Sequence, residues 1–281
     1  MGLHRPPSAG AFVLPTAAVW LFLALATAVV ISRASAAVEA TFAPWLLFPL
    51  LVGLLLGLCL TWLLRWCECG HRGTAIVGTL LAALLLVVGQ HLWHYQKHLD
   101  AMRAAKQAII RRGPAFAQVA GNLQPVPPTF REFLEHEAAR GRKLWPGYIA
   151  QGPAAWASWG LDGLLLTAAA LGVVLVALRR PYCNACRSWY RLVWEGPLDP
   201  RRSAAARAAG LLPEGADTSG GRMVTWSCRG GCQPARVDLS WREKSAAGKT
   251  VTRRTQAWLS PGQVLELAQI EPALAPQAPP R

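Results

Sequence analysis

The sequence predicts a membrane α-helical bundle of four transmembrane helices joined to a small soluble, β-rich, zinc-ribbon-like C-terminal domain. Three observations predict it. Of the 281 residues, 53% are hydrophobic and only 16% are charged, whereas soluble globular proteins carry about 25% charged residues. The apolar residues are gathered into blocks that match the roughly 20 residues a helix needs to cross hydrocarbon. Beyond the last block stand two short cysteine pairs, Cys183-x2-Cys186 and Cys228-x3-Cys232.

Residues 1–90 hold the first three blocks, at about 11–32, 43–64 and 73–89, and the fourth spans 159–178. None contains Lys or Arg. Backbone amides find no water inside a bilayer, so each block is expected to be helical. Trp45, Trp62, Trp66, Trp93, Trp156 and Trp159 fall at block edges, where an aromatic belt belongs. Asp162 is the one carboxylate in the fourth block. It stands close enough to the start to reach the interface. Ala34-Ser35-Ala36 resembles a signal-peptidase site, but the apolar run is long and Arg33 precedes the site, which favours an uncleaved helix.

Orientation follows from basic residues in short flanking segments. With an even number of spans, the N-terminus, the 65–72 loop and the tail share one side. That side carries Arg5, Arg65, Arg72, Arg179, Arg180, Arg187 and Arg191 near the membrane. The 91–158 loop has nine basic residues, but it exceeds the roughly 60 residues over which the charge rule is reliable. The tail is therefore placed in the cytoplasm, and the protein in the inner (plasma) membrane as a multi-pass chain. Abundant Ala, Arg, Gly and Pro suggest a GC-rich bacterial genome.

Residues 91–158 read as a small helical extracytoplasmic loop. His91 to Arg112 continues the third block with an amphipathic pattern, and Gly113-Pro114 ends it. Thr129-Phe-Arg-Glu132 is a capping box: the Thr hydroxyl accepts from the third amide while the Glu reaches back to the cap amide. The helix it opens is expected to run to about Arg140, with Gly141 as its stop. Residues 179–271 change character. The runs 191–194, 223–226, 235–241 and 249–259 are short, rich in Val, Thr and Trp, and read as strands. Residues 197–222 read as an insertion. Ser260-Pro261 can start a last helix to about Ile270, and 272–281 reads as a disordered tail.

The four tail cysteines, Cys183, Cys186, Cys228 and Cys232, form the pattern of a structural zinc site. A Cys-x2-Cys turn sets two thiolates on one face, and the glycines of Cys228-Arg-Gly-Gly-Cys232 let a second turn wrap the ion. A domain this small gains from a metal staple. The competing reading is a dithiol redox pair at Cys183 and Cys186, although redox Cys-x-x-Cys sites open a helix in a βαβ setting. Two weaker clusters remain. Cys67, Cys69 and His71 could offer three ligands within one short loop. His91, His94 and His98 are spaced to share a helix face, and neutral imidazole binds zinc, copper, nickel or iron; interfacial anchoring competes there. Cys59 reads as a small core residue.

No phosphate loop, nucleophile elbow, paired catalytic carboxylates or dinucleotide fingerprint appears in the sequence. The net charge is +14, with sixteen basic and eight acidic residues from Arg179 onward. Such a segment is drawn to anionic lipid headgroups beside the bilayer; nucleic acid is the weaker alternative.

The stretch Pro128-Thr-Phe-Arg-Glu-Phe-Leu-Glu-His-Glu-Ala-Ala-Arg-Gly141, then a span, then Arg180-Pro-Tyr-Cys-Asn-Ala-Cys-Arg-Ser-Trp-Tyr190, resembles uncharacterised bacterial multi-pass membrane proteins with a Pro-aromatic-Cys-x-x-Cys tail. The resemblance covers about the middle fifth of the chain. It implies a multi-span protein with a metal-knuckle tail and implies no activity. The expected function is a binding or scaffold module rather than an enzyme, with partners in anionic lipid or an unidentified cytoplasmic protein. The alternatives are a membrane thiol-disulfide oxidoreductase using Cys183/Cys186 with Cys67 and Cys69, and a metal or small-solute transporter using His91, His94 and His98.

Overall fold

A computed structural model describes residues 10–39, 46–111, 129–145, 148–231, 234–244 and 249–260, with Gln263 and Leu267. The chain divides into two compact units: 17–64 with 73–177, and 1–16 with 65–72 and 178–281.

The first unit is helical. α1 (Leu14–Glu39), α2 (Leu47–Trp66), α3 (Arg72–Ile110) and α5 (Pro153–Ala177) are each long and apolar enough to cross a membrane. Small residues set their packing. A side chain at Gly53 would run into the backbone of Leu166, and one at Gly57 would sit 2.8 Å from the carbonyl oxygen of Ala170, so α2 and α5 meet nearly backbone to backbone. Gly78 of α3 leaves room for the ring of Trp20 in α1. That ring is fully buried, and its Nε1–H donates to the Leu60 carbonyl of α2 at 3.4 Å. α1 is thereby wedged between α2 and α3. Small-residue contacts of this kind replace the hydrophobic driving force that helices lack in lipid.

α4 (Phe130–Arg140) begins as its sequence dictates. Thr129 Oγ1 accepts from the Glu132 amide at 3.2 Å, and Glu132 Oε2 accepts from the Thr129 amide at 3.1 Å. Gly141 closes it with φ 89°, its amide donating to the Glu137 carbonyl. Phe133 packs against Tyr95 and His98 of α3 at ring separations of 5.3 and 5.5 Å. An antiparallel hairpin of β1 (Arg142–Trp145) and β2 (Tyr148–Ala150) follows, so the segment is not wholly helical. α5 starts at Pro153, six residues before the expected span, because Pro suits the first helical position. Asp162 therefore lies in the third turn of α5. Its side chain is 18% exposed and ion-paired with Arg142 of β1, rather than solvated at a helix end.

The second unit is β-rich. β3 (Tyr182–Cys183) and β4 (Ser188–Trp189) form a small hairpin. β5 (Arg191–Pro197), β6 (Asp217–Ser227), β7 (Ala235–Lys244) and β8 (Thr250–Leu259) form an antiparallel sheet in the order β5-β6-β7-β8. Along β7, Ala235, Val237, Leu239 and Trp241 are buried, the period of two that a half-buried strand requires. Met223, Val237, Leu239 and Leu259 are each at most 2% exposed, a burial contributing about 1.5–3 kcal/mol per side chain. Within the expected insertion lie α6 (Pro200–Ala208) and the first half of β6. Asp199 caps α6 by accepting from the Arg202 amide at 2.8 Å. Ser260 and Gln263 bond reciprocally, as a cap would, at 2.9 and 3.3 Å. The rest of the expected final helix, the disordered tail at 272–281 and the Pro-rich turn at 124–128 lie outside the described residues.

The 65–72 loop and residues 10–16 belong to this β-rich unit. The Ala11 amide donates to Asn184 Oδ1 at 2.8 Å, and the Tyr182 hydroxyl donates to the Glu68 carbonyl at 2.7 Å. Gly70 lies so close under the Tyr182 ring that no side chain would fit there. The three segments that an even number of crossings puts on one side are thus in direct contact.

Candidate metal centre

Two turns build the cysteine cluster. The first is the β3–β4 hairpin, where Cys183 pairs with Ser188 across the strands. Between them the chain reverses, and Arg187 takes the left-handed φ of 47° that completes the reversal. The Cys186 amide points at Cys183 Sγ, 3.5 Å away, and Cys186 Sγ lies 3.1 Å from Ser188 Oγ. The second turn leaves β6 at Cys228. The Gly231 amide donates to the Cys228 carbonyl at 3.1 Å, with Gly231 at φ 59°, which its missing side chain permits.

The sheet brings the two turns together. The ligand atoms of Cys183, Cys186 and Cys228 all lie within 4.8 Å of one another. Sulfur ligands about 2.3 Å from one tetrahedral ion stand roughly 3.8 Å apart, so the three can hold a metal ion. Cys183 is fully buried and Cys228 is 5% exposed. Tyr190 and Trp258 close over them, their rings edge to face at 5.9 Å. The Tyr190 hydroxyl donates to the Pro234 carbonyl at 2.7 Å, which ties the arm leaving the first turn to the arm leaving the second. Cys232, the fourth expected ligand, lies outside the described residues.

The other two candidate groups fare differently. Among the described residues, the three tail cysteines form the one group of three or more such side chains with mutually close ligand atoms. Cys67, Cys69 and His71 are not gathered in this way. Burial pushes the thiols of Cys67 and Cys69 above their usual range. His71 meets Phe12 edge on at 5.4 Å. The neighbouring Tyr182 hydroxyl is pushed up to about 12, first by burial, and so remains a donor to Glu68. His91, His94 and His98 also separate. His98 packs on Phe133, whereas His91 and His94 line a cavity with Glu39, Arg142 and Asp162.

Comparison with family models, curated proteins and solved structures returns no match for this chain. Its function rests on the geometry of its own residues.

Proposed function

We propose that this chain is a bacterial inner-membrane protein whose four long helices span the bilayer and whose β-rich unit is a zinc ribbon on the cytoplasmic face. One observation carries the reading: sulfur atoms from two turns 41 residues apart in sequence converge within 4.8 Å. Cys232, four residues after Cys228 in the sequence, is the candidate for the fourth thiolate. Zinc suits four sulfur ligands, and a closed shell of four leaves no open position for chemistry. The metal is therefore structural, and the unit is a binding or scaffold module. Its excess of basic residues is held beside the bilayer, where each is worth about 1 kcal/mol toward anionic headgroups. Anionic lipid, or a cytoplasmic protein presenting similar charge, is its partner.

The experiment is cobalt substitution of the full-length protein in detergent. Strong thiolate-to-cobalt absorption that disappears in Cys232→Ser supports the four-sulfur site. A disulfide between Cys183 and Cys186 that forms and is reduced reversibly, without such absorption, supports the thiol-disulfide oxidoreductase instead.

A further inference from the structure

The helical unit contains a cavity of about 230 Å³. Its polar wall comes from four elements far apart in sequence. Glu39 ends α1, His91 and His94 lie one turn apart on α3, Asp162 lies on α5, and Arg142 lies on β1. Phe48, Val87, Trp159 and Leu166 supply apolar walls.

Arg142 orders this wall. Its guanidinium holds Oδ2 of Asp162 in a close ion pair and stands 3.8 Å from Oε1 of Glu39. Each carboxylate thus turns one oxygen toward Arg142 and keeps the other. Glu39 Oε2 lies 3.4 Å from His94 Nε2, long for a charge-assisted hydrogen bond but an ordinary spacing for two neighbouring ligands of one ion. Asp162 Oδ1 is buried and has no hydrogen-bond partner. A buried carboxylate oxygen left alone is costly, and two carboxylates here share a single guanidinium. A hydrogen on His94 Nε2 would serve Glu39 but would leave Asp162 Oδ1 as it is.

We infer that this cavity binds a divalent first-row transition-metal ion through His91, His94, Glu39 Oε2 and Asp162 Oδ1. Two imidazoles and two carboxylate oxygens form a donor set suited to zinc, iron, cobalt or nickel. Side chains projecting from facing helices are how bundle metal sites are built. Arg142 is a positioning residue. It fixes both carboxylates from outside the coordination sphere, and changes to such outer partners cost about 10–100-fold in metal affinity. The ligand atoms of His91, His94, Glu39 and Asp162 are not all within 4.8 Å of one another, so coordination requires these side chains to rotate toward the cavity they line. The ligand set departs from the helical face that spacing alone suggests: His98 is excluded, and two acids from other helices enter.

This site shares no ligand with the cysteine cluster, so the two can be tested apart. The full-length protein in detergent is loaded with cobalt(II), and bound cobalt is counted per chain alongside the thiolate absorption. Two equivalents are expected, only one of them thiolate-bound. His94→Ala should remove the second equivalent and keep the thiolate bands. Cys183→Ser should do the reverse. Arg142→Gln should weaken the second equivalent about 10–100-fold with the thiolate bands unchanged. Should His94→Ala misfold and lose both, Asp162→Asn, which keeps the side chain's volume, decides the matter by the same count. A single thiolate-bound equivalent in the unaltered protein would overturn the inference. So would a second equivalent that survives both His94→Ala and Asp162→Asn.

Discussion

Tyr190→Phe removes one oxygen atom and tests how the β-rich unit shapes its cysteine cluster. The phenol ring is 2% exposed and meets Trp258 edge to face, contacts that phenylalanine keeps. What is lost is the 2.7 Å bond to the Pro234 carbonyl, the tie between the two cysteine-bearing arms. Leaving a partly buried acceptor unsatisfied costs about 1–2 kcal/mol. If that tie serves to hold the arms at coordination distance, the loss appears as weaker metal binding, by about 5- to 30-fold. Competition between the full-length protein and a chromophoric chelator measures it directly. An unchanged affinity, with the protein still folded by size-exclusion chromatography, would show that the arms are held by something other than this bond and would refute the reasoning.

Helix packing and topology yield two further expectations. Gly78→Val pushes a side chain into the buried Trp20 ring, and overpacking of this kind costs about 1–3 kcal/mol. Gly160→Ala meets nothing within 4 Å and serves as the neutral control; the two are compared by melting temperature in detergent, and equal values would contradict the wedged position of α1. The proposed cytoplasmic tail predicts that a C-terminal green-fluorescent fusion fluoresces while a C-terminal alkaline-phosphatase fusion stays inactive; the opposite pair of results would reverse the orientation.

Local chemistry is what the sequence displays best. Thr129 and Glu132 sit three residues apart and need only each other to start a helix, and the structure contains their reciprocal bonds. Long apolar runs announce spanning-length helices because the length of a run is itself the signal. Gly53 and Gly57 stand four residues apart, a spacing that permits close helix approach, and α5 makes it. The cysteine turns were legible for the same reason: two donors per turn are encoded within five residues.

Long-range partnerships were not visible. Nothing near Asp162 in sequence indicates Arg142, twenty residues away across a hairpin, and nothing near His94 indicates Glu39, 55 residues away. The hairpin itself was hidden because four- and three-residue strands are too short to show alternation. Placing 217–221 in an insertion missed the start of β6, whose register slips between Asp217 and Arg222 and so interrupts the period of two. The shared helical face of three histidines described α3 correctly, yet only tertiary packing decides which of them face the cavity and which meets Phe133.

The central claim is that tail sulfurs surround one ion. X-ray absorption at the zinc edge of the purified full-length protein tests it most directly. A sulfur-bound ion gives a shell of sulfur neighbours at about 2.3 Å that is lost in Cys228→Ser. Zinc absent from the protein, or present with only nitrogen and oxygen neighbours, would contradict it.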